Sequence, residues 1–204
     1  GDRLRFDHRR NKWIVWGGHW WNDDSDGNVI RLAIDAARNR FAAATYIQDT
    51  RERGEVAKWA IRSENRGSVE AALKIAQSLR PIAESGDRWD ADPMLLGVAN
   101  GVVDLRTGIL RPGKPADLIF LHTTVPFEGN VAAPRWVRFL WEIFSGDAEL
   151  IDYFHRLVGY SATGAMKEQI AILLYGTGSN GKSTLLSTIA HVMGDYCANT
   201  PFVT

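Results

Sequence analysis

The chain has 204 residues, of which 45% are hydrophobic and 24% charged, a balance that fits a globular protein and excludes a disordered or fibrous one. Its 24 basic and 24 acidic side chains cancel, so only a local basic surface would be compatible with nucleic-acid binding. A single cysteine, Cys197, excludes an internal disulfide and a cysteine-based metal site. No apolar run approaches the length of a membrane span, and we therefore expect no membrane partner.

Residues 1–21 predict a small β-hairpin unit. The segments LRF, KWIVW and HWW are rich in aromatic and β-branched residues, and the glycine pair at 17 and 18 is typical of a tight turn. Four tryptophans lie close together beside basic residues, at positions 13, 16, 20 and 21. Such rings either stack on single-stranded nucleic acid or pack a small sheet against helices. Strand alternation places Ile14 and Trp16 on one face and Trp13 on the other, which favours packing.

Residues 29–83 predict a helical section. The polar run NDDSDGN offers several N-caps for a helix over 29–46. Its buried stripe is expected to consist of Ala33, Ala36, Ala37 and Phe41. A second helix is predicted over 52–62, and Ser68 is the expected N-cap of a third.

Residues 94–127 predict a β-hairpin region. Two apolar segments flank the turn RTG, and ADLIFLHTTVPF adds another extended piece. Two amphipathic helices are predicted to follow, over 134–144 and 148–158, with Asp147 as the cap of the second.

The stretch GTGSNGKST at 176–184 matches the phosphate-binding pattern G-x-x-x-x-G-K-[ST]. The apolar run QIAILLY before it is typical of a buried strand, and STLLSTIAHVM after it has helical spacing. In this pattern converging backbone N–H groups hold a triphosphate, Lys182 lies on the β and γ phosphates, and the Ser183 hydroxyl completes a Mg²⁺ shell. The alternative is a glycine-rich turn that leaves Lys182 in solvent.

The sequence resembles the phage and plasmid primase-helicases of superfamily 3, which share their helical domain with poxvirus primase-helicases. The matching segments are KWIVWGGHWW, DADPMLLGVANGVVDLRTGILRPGKPADLI, ELIDYFHRLVGYSATG, GTGSNGKSTLL and GDY. The resemblance implies an ATP- and Mg-dependent DNA helicase of AAA+ type, which works as a ring, usually a hexamer, in the cytoplasm of a bacterial host. It also implies an α+β fold, with a mostly helical accessory domain and small β-hairpins over 1–166 and the first strand, loop and helix of a P-loop ATPase over 167–204.

The resemblance also assigns the site. Lys182 is the candidate catalytic residue, Ser183 the candidate Mg²⁺ ligand, and the candidate nucleotide-binding residues are Gly176, Thr177, Gly178, Ser179, Asn180, Gly181, Lys182, Ser183 and Thr184. The family's acidic Walker B pair, sensor asparagine and arginine finger have no counterpart in these residues. We therefore expect the chain to be part of a longer protein and to hydrolyse ATP negligibly by itself.

Two other hypotheses stay open. The chain could be an oligomerisation or linker module that joins a primase to the motor and has no activity of its own. A small-molecule kinase carries the same loop, but in such enzymes the loop commonly lies near the N-terminus, and here about 170 residues precede it.

Overall fold

The computed structural model describes residues 2–176, 178 and 180–200. The predicted α+β class, with helices and small sheets, is confirmed. Two compact units form, one from residues up to 17 together with 21–89, and one from residues 18–20 together with those from 90 onward. The predicted domain boundary at residue 166 falls inside the second unit and stays a prediction.

The first unit contains a four-stranded sheet with the order β3-β2-β1-β4. Its strands are β1 Leu4–Asp7, β2 Lys12–Trp16, β3 Trp21–Asp23 and β4 Ala83–Glu84. The pairs β1–β2 and β2–β3 are antiparallel, and β4 joins β1 in parallel. The hairpin unit predicted for residues 1–21 is therefore confirmed, and β4 adds an edge that comes from far along the chain.

Three tryptophans of the β1–β3 strands pack against other rings. Ile14 and Trp21 are fully buried. The Trp13 ring lies edge-on to Phe6 at 5.2 Å, and the Trp16 ring lies edge-on to Trp21 at 5.3 Å. Edge-to-face pairs of this kind stabilise a small core beyond the area that they bury. The structure thus supports packing rather than base stacking for these three rings.

Three helices complete the first unit. They are α1 Asn28–Ala44, α2 Thr50–Ser63 and α3 Arg66–Ala76. The Asp24 carboxylate accepts from the first backbone N–H groups of α1, and the Asp49 carboxylate accepts from Glu52 N at 2.7 Å at the start of α2. The predicted cap of α3 is wrong, because Asn65 takes that place and accepts from the backbone N–H of Ser68.

The predicted buried stripe of α1 is only partly right. Ala37 is buried, but Ala36 and Phe41 are exposed, and Val29 and Ala44 are buried in addition. Alanines occur on all sides of α1, so their spacing does not identify which face of the helix is buried.

The second unit begins with an antiparallel three-stranded sheet. Its strands are β5 Leu95–Val98, β6 Gly101–Asp104 and β7 Ile109–Arg111, paired in that order. The predicted hairpin around RTG is the β6–β7 pair, and a second tight turn joins β5 to β6. The predicted extended piece over 116–127 is not a strand, although its Ile119 is fully buried.

The remaining helices of the second unit are α4 Pro134–Ile143, α5 Ala148–Ser161 and α6 Lys182–Met193. Asp147 caps α5 as predicted, since its carboxylate accepts from Leu150 N at 2.9 Å. The predicted strand over 169–175 is wrong, because these residues have no regular secondary structure. A strand requires hydrogen-bonded neighbours, and the described part of the chain pairs none with this segment.

A short 3-10 turn, Gly194–Tyr196, follows α6 and contacts the sheet of the same unit. The Tyr196 hydroxyl donates to the Leu121 carbonyl at 2.6 Å and accepts from Gly97 N at 2.9 Å. Burial raises the pKa of Tyr196 to about 12, since an ionised phenol would lose its hydration there. The C-terminal end of α6 is therefore fixed by contacts far away in sequence.

Candidate nucleotide-binding site

The glycine loop, residues 176–184, leads into α6, which packs on the two helices before it. Leu185 on α6, Leu140 on α4 and Phe154 on α5 form one buried cluster. Burying a leucine or phenylalanine contributes about 1.5–3 kcal/mol. The helix that follows the loop is thus anchored by a core cluster close to its first turn.

Gly181 fits tightly where the loop meets α4. Its φ is 81°, in the left-handed region, and a Cβ at this position would lie 2.7 Å from Ile143 Cγ2 and 3.3 Å from the Phe139 ring. A side chain there would face both backbone strain and a steric clash. Glycine is therefore required at this position by the fold as well as by the phosphate-loop pattern.

The Lys182 side chain turns back over the loop. Its Nζ donates to the Gly176 carbonyl at 3.1 Å and to Asn180 Oδ1 at 2.7 Å. Gly176 has φ 151°, which favours glycine, and a Cβ there would displace the Asn180 amide, since it would lie 2.2 Å from Asn180 Nδ2. The alternative in which Lys182 simply extends into solvent does not match this geometry, because the ammonium spans the two ends of the loop.

The first turn of α6 offers further groups. Ser183 and Thr184 are exposed, and the first turn contains no acidic residue. Backbone N–H groups at a helix start lack partners within the helix and, with the helix dipole, favour an anion. An exposed hydroxyl next to phosphate oxygens suits Mg²⁺, which prefers oxygen ligands and retains several waters. The residues present therefore fit a Mg²⁺-bound triphosphate.

The structure brings most of the predicted site residues together and leaves two undescribed. Gly176, Gly178 and Asn180–Thr184 follow one another from the loop into the first turn of α6. Thr177 and Ser179 lie outside the described residues. Among the residues that the structure describes, no three His, Cys, Asp or Glu side chains cluster as a metal site.

Sequence reasoning missed the part that α4 plays at the loop. Phe139 and Ile143 contact the loop through the space beside Gly181. Their i, i+4 spacing on a strongly amphipathic helix was the available signal, but it did not identify the loop as their partner. The role of Asn180 was likewise missed, and its side-chain oxygen accepts from the Lys182 ammonium.

Comparison with known proteins shows the family. Residues 1–145 match the family described as D5 N terminal like. The match covers more than half of the chain, and the chain therefore belongs to this family. The glycine loop lies beyond the matched residues.

Several viral proteins are similar to the chain. A protein of Invertebrate iridescent virus 6, named a putative helicase, is 27% identical over 143 residues, which are 68% of this chain and 15% of that protein. A second protein with that designation, from Acanthamoeba polyphaga mimivirus, is 33% identical over 110 residues, which are 52% of this chain and 11% of that protein. A protein of African swine fever virus that is named as a primase is 29% identical over 118 residues, or 54% of this chain and 12% of that protein.

These relatives confirm the predicted resemblance to poxvirus-like primase-helicases. The chain spans between 11% and 15% of their length. Each helix within residues 2–176 and 180–200 falls short of the length and apolar character that crossing a membrane requires.

Proposed function

We propose that this chain is a segment of a replicative DNA helicase that binds ATP and Mg²⁺ at its glycine loop. The observation that carries the proposal is the Lys182 ammonium, which lies across the loop on Gly176 O and Asn180 Oδ1. A triphosphate entering the loop would exchange these neutral acceptors for charged phosphate oxygens, which form stronger hydrogen bonds. The family membership and the helicase names of the relatives support the same function.

The residues of the loop divide the work of binding. In this proposal backbone N–H groups of the loop would hold the phosphates, Lys182 would offset their charge, and Ser183 would hold Mg²⁺, with Thr184 as a neighbouring hydroxyl. An Mg²⁺ ion held there would supply positive charge that offsets the negative charge of the phosphates. The positive end of the α6 dipole adds to this field.

Hydrolysis and DNA unwinding belong, in this proposal, to a longer protein that works as a ring of six subunits, as the family resemblance implies. Asp195 is the sole acidic residue after the loop in this sequence, and its carboxylate accepts from the His122 backbone N–H at 3.3 Å. Phosphoryl transfer also needs a positioned water and charge compensation at the γ phosphate. We therefore expect the 204-residue chain to bind ATP with negligible turnover.

A binding assay with matched lysines tests the proposal. Isothermal titration of the chain with MgATP is expected to show binding, and Lys182→Ala should weaken it about 10- to 100-fold, the loss expected for a hydrogen bond to a charged group. Lys167→Ala removes an exposed lysine nine positions before Gly176 in the sequence and should leave the affinity within about twofold. Absence of ATP binding, or equal losses in the two variants, would contradict the proposal.

A second candidate is a self-association module. Large apolar side chains are exposed on the first unit, including Ile61 on α2 at 61% and Ile75 on α3 at 62%. Apolar residues of this exposure favour a protein partner when they form a patch. Sedimentation of the chain at several concentrations distinguishes the candidates, since a linker module would associate equally well with Lys182→Ala and without ATP.

A further inference from the structure

A cavity of about 620 Å³ opens beside the glycine loop, within the second unit. Asn180 and Lys182 line one side of the cavity. A second wall is formed by Phe144 and Ser145, in the turn between α4 and α5, and by Leu150 in the first turn of α5. Leu173 and Tyr175, in the segment before the loop, form the third wall. The volume lies in the range of small-molecule sites, which combine apolar walls with a few polar groups.

The apolar walls are open to solvent. Tyr175 is 88% exposed, Leu173 is 84% exposed and Leu150 is 42% exposed. An apolar ligand that covers these side chains would remove their surface from water, which is favourable. A nucleobase has this character, because its faces are apolar and stack on aromatic rings.

The α4–α5 turn is a firmly held wall. Gly146 has φ 77° and its N–H donates to the Trp141 carbonyl at 2.8 Å. Asp147 N donates to the Phe144 carbonyl at 3.1 Å, and the Asp147 carboxylate caps α5 at Leu150 N. Leu150 therefore sits on the first turn of a capped helix, and its position does not depend on a ligand.

We propose that this cavity holds the nucleobase of the nucleotide, with Leu150 and Tyr175 as the residues that contact its faces. The inference rests on the proposed function, because it takes the phosphates to lie at Lys182. One continuous cavity joins Lys182 and Asn180 to these apolar walls, so a single ligand with a charged end and a flat apolar end matches it. The helices before the loop thus take part in nucleotide binding and do more than support α6.

Binding of two probes, MgATP and inorganic tripolyphosphate with Mg²⁺, tests whether the cavity holds the base, because only ATP carries one. Leu150→Ala and Tyr175→Ala are each expected to weaken ATP about 3- to 10-fold, as expected for losing a few buried methylene groups or a stacked ring. The affinity for tripolyphosphate should stay within about twofold in both variants, because the loop is untouched. Val137→Ala truncates a residue of α4 that is 58% exposed and does not line the cavity, and it should change neither affinity.

The outcomes separate the two proposals. If the unmodified chain binds ATP and Lys182→Ala weakens that binding as expected, but Leu150→Ala and Tyr175→Ala bind ATP normally, the base lies elsewhere and this inference is wrong. Equal losses for ATP and tripolyphosphate would also overturn it, since the two residues would then act on the loop and not on the base. Failure of the unmodified chain to bind either probe refutes the proposed function, and with it the base site. Thermal unfolding of each variant, followed by circular dichroism, checks that the fold persists.

Discussion

Replacing Gly181 with alanine should loosen α6 from the helices that support it. The backbone there has φ 81°, and the new Cβ would lie 2.7 Å from Ile143 Cγ2. A left-handed conformation costs a non-glycine residue about 1–2 kcal/mol, and inserting a methyl group into a packed site costs about 1–3 kcal/mol. Alanine also restricts the unfolded chain, which returns about 0.4–1 kcal/mol. The net loss should be about 1–4 kcal/mol.

Hydrogen exchange followed by mass spectrometry measures this loss locally. Because a chain with two compact units need not unfold in one step, exchange rates are compared for each helix separately. Amides of α6 should exchange about 5- to several hundred-fold faster in Gly181→Ala, since about 1.4 kcal/mol corresponds to a factor of ten. Peptides from α2, in the first unit, serve as the internal reference and should keep their rates.

Gly159→Ala is the matched control for this substitution. Gly159 lies in α5 of the same unit, and a Cβ there would meet nothing within 4 Å. The same chemical change should therefore stabilise the helix by about 0.5–1 kcal/mol. If the amides of α6 exchange as slowly in Gly181→Ala as in the unmodified chain, then Gly181 does not have the left-handed conformation and the close contact with α4 that are described here.

Two further substitutions test buried polar contacts. Tyr196→Phe should cost about 1–3 kcal/mol at neutral pH, because it leaves two backbone groups without their partner. The raised pKa means that the folded state keeps the phenol proton above pH 10 while the unfolded state loses it, so the unmodified chain should lose stability relative to Tyr196→Phe as the pH rises from 10 to about 12 in urea titrations. Trp89→Phe removes the indole N–H that donates to the buried Asp7 Oδ2 at 2.7 Å and should cost about 1–3 kcal/mol, whereas Trp59→Phe, at a ring 54% exposed, should stay within about 0.5 kcal/mol. Equal urea midpoints for the two tryptophan variants would show that the Asp7 contact contributes nothing.

The sequence by itself determined features that depend on neighbouring residues. The cap Asp147, the hairpins and the helix periods all involve interactions across a few positions, and most of these predictions were confirmed. The glycine loop was recognised in the same way, because its pattern spans eight consecutive residues. Ser68 shows the limit of such reasoning, since Asn65, three residues earlier, is an equally good cap and takes the place.

Tertiary structure decided whatever depends on residues far apart in sequence. The apolar run at 169–175 has strand composition, but a strand forms only when another strand pairs with it, and composition carries no information on that neighbour. Tyr196 reaches backbone groups 75 and 99 positions away, and Trp89 reaches Asp7 across 82 positions. Each such contact requires the intervening chain to be ordered, which costs conformational entropy. Many contacts of the folded unit together offset this cost, so a short stretch of sequence does not reveal which distant residues will meet. The cavity between the α4–α5 turn and the glycine loop belongs to this second kind, since only folding brings Leu150 and Lys182 to one site.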